Sequence, residues 1–241
     1  MIMNKTKLER FIIKYSLGGS IDSVKWIFKN NNLLTAMMTP DKSLIGKVKV
    51  DNVDFDDRVL GVYSTGQLSR MLSVLDGNLD VSLVEIDQAA ISLKLKSNGN
   101  EVNFALADLS VFEDPPSLKN LPDFDLSVDV DSNFSNTFIK GKTALSEIET
   151  FSLIQNGTTK IVIGHSNTNS HRVSIPLNVK KSDFPMERLT FNANVFKEIL
   201  VANRECTLGE LKFSDKGLLH IKFDSGDYHS EYFLTAIQDD N

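Results

Sequence analysis

Asp123, Asp125, Asp129 and Asp131 fall within nine residues of one another, just after a proline-bearing stretch. Clustered carboxylates are what a metal-dependent nuclease uses to hold a divalent cation and activate water. The stretch DVDSNFSNTFIK, residues 129–140, also opens like a calcium-binding loop. It departs from that loop where Phe134 replaces the glycine of the sharp turn and Lys140 replaces the bidentate glutamate. The even spacing sets all four acids on one face of a strand, and a solvated strand face is the reading favoured here. A nuclease relying on these carboxylates is kept as an alternative. His165, His171, His220 and His229 show neither HExxH nor other paired-ligand spacing. Cys206 is the single cysteine. It has no disulfide partner and reads as a small buried apolar residue in a reducing compartment. GGS at 18–20 is a turn after a helix, not a nucleotide-binding loop. No metal, no cofactor and no catalytic residue is expected.

The surrounding elements are mostly short strands. Runs at 26–28, 33–38, 43–50 and 58–63 are followed by 79–86, 90–96 and 102–108. Apolar and polar residues alternate clearly in ISLKLK and KVKV, the mark of half-buried antiparallel strands. DG at 76–77 and NG at 98–99 supply turn signals. Helical spacing appears in KLERFIIKYSL (7–17), through Leu8, Phe11, Ile12 and Tyr15, and in TGQLSRMLSVL (65–75), through Leu68, Met71, Leu72 and Leu75. SVFEDPPSLKNLPD, residues 110–123, holds three of the six prolines and no period, so it reads as a linker. Beyond it the order returns: a strand at 125–130, a helix at 135–148, strands at 150–154, 160–165, 172–178 and 188–191, a helix at 192–203, and strands at 208–213, 217–223 and 229–237. EVNFALADL (101–109) and HSEYFLTAI (229–237) lie 128 positions apart. The same offset sets Phe196, Ile199 and Leu200 on Leu68, Met71 and Leu72, and Leu219, Ile221 and Phe223 on Ile91, Leu93 and Leu95. A repeat of this length predicts two like domains.

A chain of 241 residues accommodates two domains of about 120. No apolar run is long enough to span a membrane, and MIMNKTKLERF carries charges where an export signal needs its apolar core, so a cytoplasmic protein without a membrane partner is expected. The net charge of −6 argues against nucleic acid only if it is evenly spread. It is not. The helical segments hold Lys5, Lys7, Arg10, Lys14, Arg70, Lys140, Lys142, Lys197 and Arg204 against Glu9, Asp76, Glu147 and Glu198, in a chain of 26 bases and 32 acids. Lys and Arg suit any solvated helical face. Four helices biased alike in an acidic chain also fit one positive surface contacting phosphates without reading sequence.

Three pieces, KFDSGDYHSEYFLTAIQDD, FNANVFKEILVAN and TAMMTPDKSLIGKV, together with the tandem order of elements, resemble the DNA polymerase sliding clamps. The similarity is to the two-domain form found in T4-like bacteriophages and in proliferating-cell nuclear antigen. It covers nearly the whole chain. The resemblance implies an α+β protein with two tandem clamp domains, 1–109 and 124–241, joined by the connector 110–123, with antiparallel sheets outside and two helices per domain inside. It implies a homotrimeric ring around double-stranded DNA, tethering a DNA polymerase and opened by an ATP-driven clamp loader. The nine helical bases would face the DNA. Gly141 weakens the third helix, and the second offers a single base, Arg70. Subunits would join through Val102, Phe104 and Leu106 on one edge and His171, Val173 and Ile175 on another, where Pro176 is tolerable. A partner peptide would sit against Met37, Met38, Val111, Leu118, Leu121, Leu234, Ala236 and Ile237. Two alternatives in the binding class remain, a monomeric or dimeric processivity factor holding DNA by its basic face and a scaffold that does not act on DNA.

Overall fold

The computed structural model describes the chain except residues 165–170, 183, 186 and 238–241 and the side chains of 181 and 182. His165 and the last residues of the C-terminal segment quoted above lie outside the described residues. Two compact units are formed. One comprises Met1–Pro40, Gly46–Pro116 and Gly226–Ser230, the other Asp41–Ile45, Ser117–Ser225 and Glu231–Asn241. No helix among the described residues is long and apolar enough to cross a membrane.

The first half of the chain gives β1 (Ile2–Asn4), α1 (Lys5–Ser16), β2 (Val24–Lys29), β3 (Asn32–Met38), β4 (Leu44–Val50), β5 (Arg58–Val62), α2 (Thr65–Leu72), β6 (Asn78–Ile86), β7 (Ala89–Ser97) and β8 (Asn100–Ala105). The second gives β9 (Leu126–Asp131), α3 (Ser132–Ala144), β10 (Thr150–Asn156), β11 (Thr158–Ile163), β12 (Val173–Pro176), β13 (Val179–Ser182), β14 (Arg188–Asn192), α4 (Ala193–Ala202), β15 (Leu208–Ser214), β16 (Leu218–Ser225) and β17 (Tyr228–Thr235). Strand order repeats: β1-β6-β7-β8 and β4-β3-β2-β5 in the first half, β9-β15-β16-β17 and β12-β11-β10-β14 in the second, with β13 added beside β9. The repeat seen in the sequence is therefore a repeat of topology. Facing is kept at most of the aligned positions. Leu93 and Ile221 are both buried, as are Leu95 and Phe223. Ile91 departs, being 40 % exposed against 0 % for Leu219. It lies at the end of the β6–β7 pair where the register shifts between Val84 and Glu85, and such a bulge turns the next side chains.

Local chemistry fixes the helices. Asn4, Asp131 and Asn192 stand at the N-caps of α1, α3 and α4, each accepting backbone N–H from the first turn. Asp131 Oδ1 accepts from Phe134 N at 2.7 Å, so α3 begins at Ser132 rather than at the expected 135. It ends at Ala144 rather than 148, because Lys142 Nζ turns onto the carbonyls of Leu145 and Ser146 at 3.4 and 2.9 Å. The helix expected over 65–75 is α-helical only to Leu72. Its own N-cap, Ser64, gives no side-chain bond. The cap comes from Asp22, whose carbonyl accepts from Thr65 N at 2.7 Å and whose carboxylate accepts from Gly66 N at 2.9 Å. Asn98 and Gly99 both have positive φ, giving the two-residue β7–β8 turn that the NG pair predicts.

Each unit has its own aromatic core. In the first, Phe11 lies edge-on to Tyr15 and Trp26, and the Trp26 Nε1–H donates to the Tyr15 hydroxyl at 3.3 Å. In the second, Phe138 meets Phe196 at 4.7 Å and Phe151 at 5.3 Å, all three fully buried. Gly141 now has a reason. A Cβ there would stand 3.0 Å from Val173 Cγ1 and 3.4 Å from Ile163 Cδ1. The residue that weakens the isolated helix lets α3 lie close on β11 and β12.

Candidate functional site

The helical bases divide into two groups. Lys5 Nζ donates to the Leu75 carbonyl at 2.6 Å and has Glu9 at 3.6 Å. Lys7 Nζ donates to the carbonyls of Asp51 and Asn52 and to Asp227 Oδ2, at 2.7, 3.1 and 2.6 Å. Lys7 and Asn52, bonding to the Asp227 carboxylate, hold it below the usual carboxylate range. Lys197 has Glu198 at 3.6 Å. Lys14 and Lys142 correct the expectation of nine outward bases, being 0 % and 3 % exposed. Lys14 stands over the Tyr228 ring at 5.4 Å, and Lys142 closes its own helix. Their ammonium groups are held inside one unit. Arg10, Arg70, Lys140 and Arg204 are exposed and have no ion pair among the described residues. Every helix, or the turn just after it, thus presents one arginine or lysine outward.

β8 and β12 are among the strands that end a sheet. β8 pairs with β7, and Leu106 N–H donates to the Ile91 carbonyl at 2.9 Å. Antiparallel alternation then turns the backbone N–H and C=O of Glu101, Asn103 and Ala105 away from β7. β12 pairs with β11, and Leu177 N–H donates to the Thr159 carbonyl at 3.0 Å. By the same alternation Ser174 and Pro176 turn outward. Pro176 has no N–H, so it removes nothing from the β11 ladder. Of the side chains implied for a subunit joint, Val102, Phe104 and Ile175 are about 5 % exposed and belong to the core of their own unit. Leu106 and Val173 are half-buried and His171 is exposed. What the edges offer is backbone, together with outward residues such as Asn103 and Ser174 that the apolar pattern does not single out.

The residues implied for a partner peptide also divide. Met37 and Leu234 are 1 % and 0 % exposed and are core. Val111, Leu121 and Ile237 are exposed; Met38, Leu118 and Ala236 are half-buried.

The clustered aspartates do separate local work. Asp125 accepts the Asp215 N–H at 3.0 Å, Asp129 pairs with Lys180 at 2.6 Å, and Asp131 caps α3. Asp123 is exposed. Among the described residues no group of three His, Cys, Asp or Glu could hold a metal ion. His229 Nε2 lies 2.9 Å from Asp51 Oδ2. His220 stacks on Phe233 at 4.7 Å with Glu231 Oε1 at 2.9 Å. Burial pushes the His220 imidazole below its ordinary value, although Glu231 pulls the other way. The unfolded chain therefore takes up this proton first as pH falls. Stability is complete above the ordinary value of about 6.5 and declines below it, until the folded imidazole also titrates. Replacing His220 by Gln should flatten the fall in denaturation midpoint between about pH 7 and 5.5. An unchanged slope would assign that fall to other groups.

No protein-family model matches the chain, and no curated protein matches it. Solved structures do. The proliferating cellular nuclear antigen of Entamoeba histolytica superposes with a TM-score of 0.75 at 13 % identity, over 98 % of this chain and 97 % of that one. The PCNA2–PCNA3 complex of Sulfolobus tokodaii gives 0.73 at 13 % identity, over 98 % of each chain. At that identity it is the fold that is shared: two helices and two antiparallel sheets, repeated once, make this chain an α+β protein with the DNA-clamp fold of proliferating-cell nuclear antigen.

Proposed function

We propose that the chain is one subunit of a homotrimeric ring that encircles double-stranded DNA and tethers a replicative DNA polymerase, with no catalysis of its own. Its domains would be 1–109 and 124–241, joined by 110–123. The observation that carries the reading is the pair of unlike uncovered edges. In the first unit the chain just after β4 already meets the turn that leads into the last strand: Asp51 N–H donates to the Asp227 carbonyl at 2.8 Å. β12 is the counterpart of β4 in the second half, and β8 is the counterpart of β17. Joining β8 of one copy to β12 of the next repeats between chains a pairing already made within one, and removes two open edges. Closure by such unlike edges gives a ring.

Arg10, Arg70, Lys140 and Arg204 would centre the duplex by screened phosphate contacts. Polymerase peptides would meet the exposed apolar residues Val111, Leu121 and Ile237. Tethering raises the local concentration of the enzyme at its primer. Loading would need a separate ATP-driven protein.

Light scattering on the eluting protein should return three times the 26.9 kDa chain mass. The loaded protein should stay on circular DNA and leave when the circle is cut. Changing Arg10, Arg70, Lys140 and Arg204 together to Ala should reduce retention at least about tenfold at physiological salt, with the mass unaltered. A clean monomer at micromolar concentration, or retention indifferent to linearisation, would overturn the proposal.

A further inference from the structure

The second unit carries an open groove of about 550 Å³ beside the β12 edge. One wall is α3, through Phe134 and Thr137; another is the end of β12 with Leu177 and Asn178 after it. The repeat identifies its counterpart. Aligning the N-caps Asn4 and Asp131 sets Lys7 on Phe134 and Arg10 on Thr137. Asp51 and Asn52 follow β4 as Leu177 and Asn178 follow β12.

In the first unit that place is filled. The Tyr228 hydroxyl donates to the Lys7 carbonyl at 3.2 Å, its ring lies under Lys14, and Asp227 takes the Lys7 ammonium that also reaches the Asp51 and Asn52 carbonyls. The filler is the turn and first residue of the last hairpin, β16–β17. Its counterpart in the first half is the turn of β7–β8, with Gly99 and Asn100 standing 128 positions before Asp227 and Tyr228. We infer that the groove receives the β7–β8 hairpin tip, Asn98–Glu101, of a second copy of this chain. The inference rests on the ring reading and adds to it the element that enters each subunit.

The two surfaces suit each other. The tip is exposed from Asn98 to Glu101, and its type I′ turn is narrow. Its amides can bond the polar rim at Asn178 and Lys180. Glu101 is held between Lys94 and Lys96 at 2.7 and 3.1 Å, so the tip carries one net positive charge. The groove wall holds Asp129, Asp131 and Lys180, one net negative charge. Phe134 stands where Lys7 stands in the other half, which fits an occupant that brings no carboxylate equivalent to Asp227.

Two cysteine pairs test this. Under mild oxidation, Asn100→Cys with Asn178→Cys should link most chains into covalent oligomers ending at the ring. Either single variant, and the parent with its buried Cys206, should show background only. Asn103→Cys with Ser174→Cys reports the edge pairing separately. If the edge pair links and the hairpin pair does not, the hairpin assignment is wrong and the ring stands. If neither links and every variant, folded by its melting curve, elutes as a monomer, the ring reading itself fails.

Discussion

Asn103→Pro in β8 is expected to leave a folded protein of one chain's mass. The Asn103 N–H points away from β7, so a proline there breaks no bond of the β7–β8 ladder. In the proposed ring that N–H faces the neighbouring β12. The substitution removes a donor and sets a pyrrolidine ring against the incoming strand. Proline removes a ladder hydrogen bond, a buried acceptor left without its donor costs about 1–3 kcal/mol, and about 1.4 kcal/mol is a tenfold change in an association constant. Each joint should therefore weaken by about tenfold or more. Light scattering across a dilution series reads the shift directly. Phe104→Pro is the contrast, because its N–H points into the sheet and its side chain is buried; there the fold itself should suffer. A ring that survives Asn103→Pro would place the joint elsewhere.

The largest expected effect on stability is that of Phe138→Ala. The ring is 0 % exposed and wedged against Phe134, Phe151 and Phe196. Truncation removes the transfer gain and leaves a cavity among stiff aromatic neighbours, with a loss of about 3–5 kcal/mol. That is a large part of the margin of a domain this size. Urea denaturation should show the transition of the second unit moving to lower denaturant with its slope unchanged. Lys140→Ala, two residues on and exposed, should stay within about 0.5 kcal/mol. A loss below about 1 kcal/mol for Phe138→Ala would mean that the aromatic cluster closes over the gap.

The sequence makes the strands and the repeat legible because both rest on side-chain alternation, a local property. ISLKLK and KVKV form half-buried antiparallel strands, and Leu68, Leu72, Phe196 and Leu200 are buried as their spacing requires. β1 and β13 are not legible in the sequence, because three or four residues carry no measurable period. The cap of α2 was invisible, since Asp22 lies far from it along the chain. Charge misleads for a related reason. Lys7, Lys14 and Lys142 have the composition of outward bases, yet their ammonium groups meet carbonyls, a carboxylate or an aromatic ring that only the folded unit brings near. A long aliphatic stem lets a lysine turn either way, and residue type alone does not choose. For the edges, the family resemblance implies Val102, Phe104 and Ile175, which serve their own core, while the backbone direction is fixed by single bonds at Leu106 and Leu177.

Pro176 carries a consequence for symmetry. Within β12 the outward donors reduce to Ser174 alone, whereas β8 presents three, at Glu101, Asn103 and Ala105. Two β12 edges brought face to face would hold more acceptors than donors, and a self-matched dimer about that edge is poorly bonded. Donor-rich β8 is the better complement. Since neither edge is asked to match itself, no two-fold axis is imposed, and an odd number of subunits is as permissible as an even one.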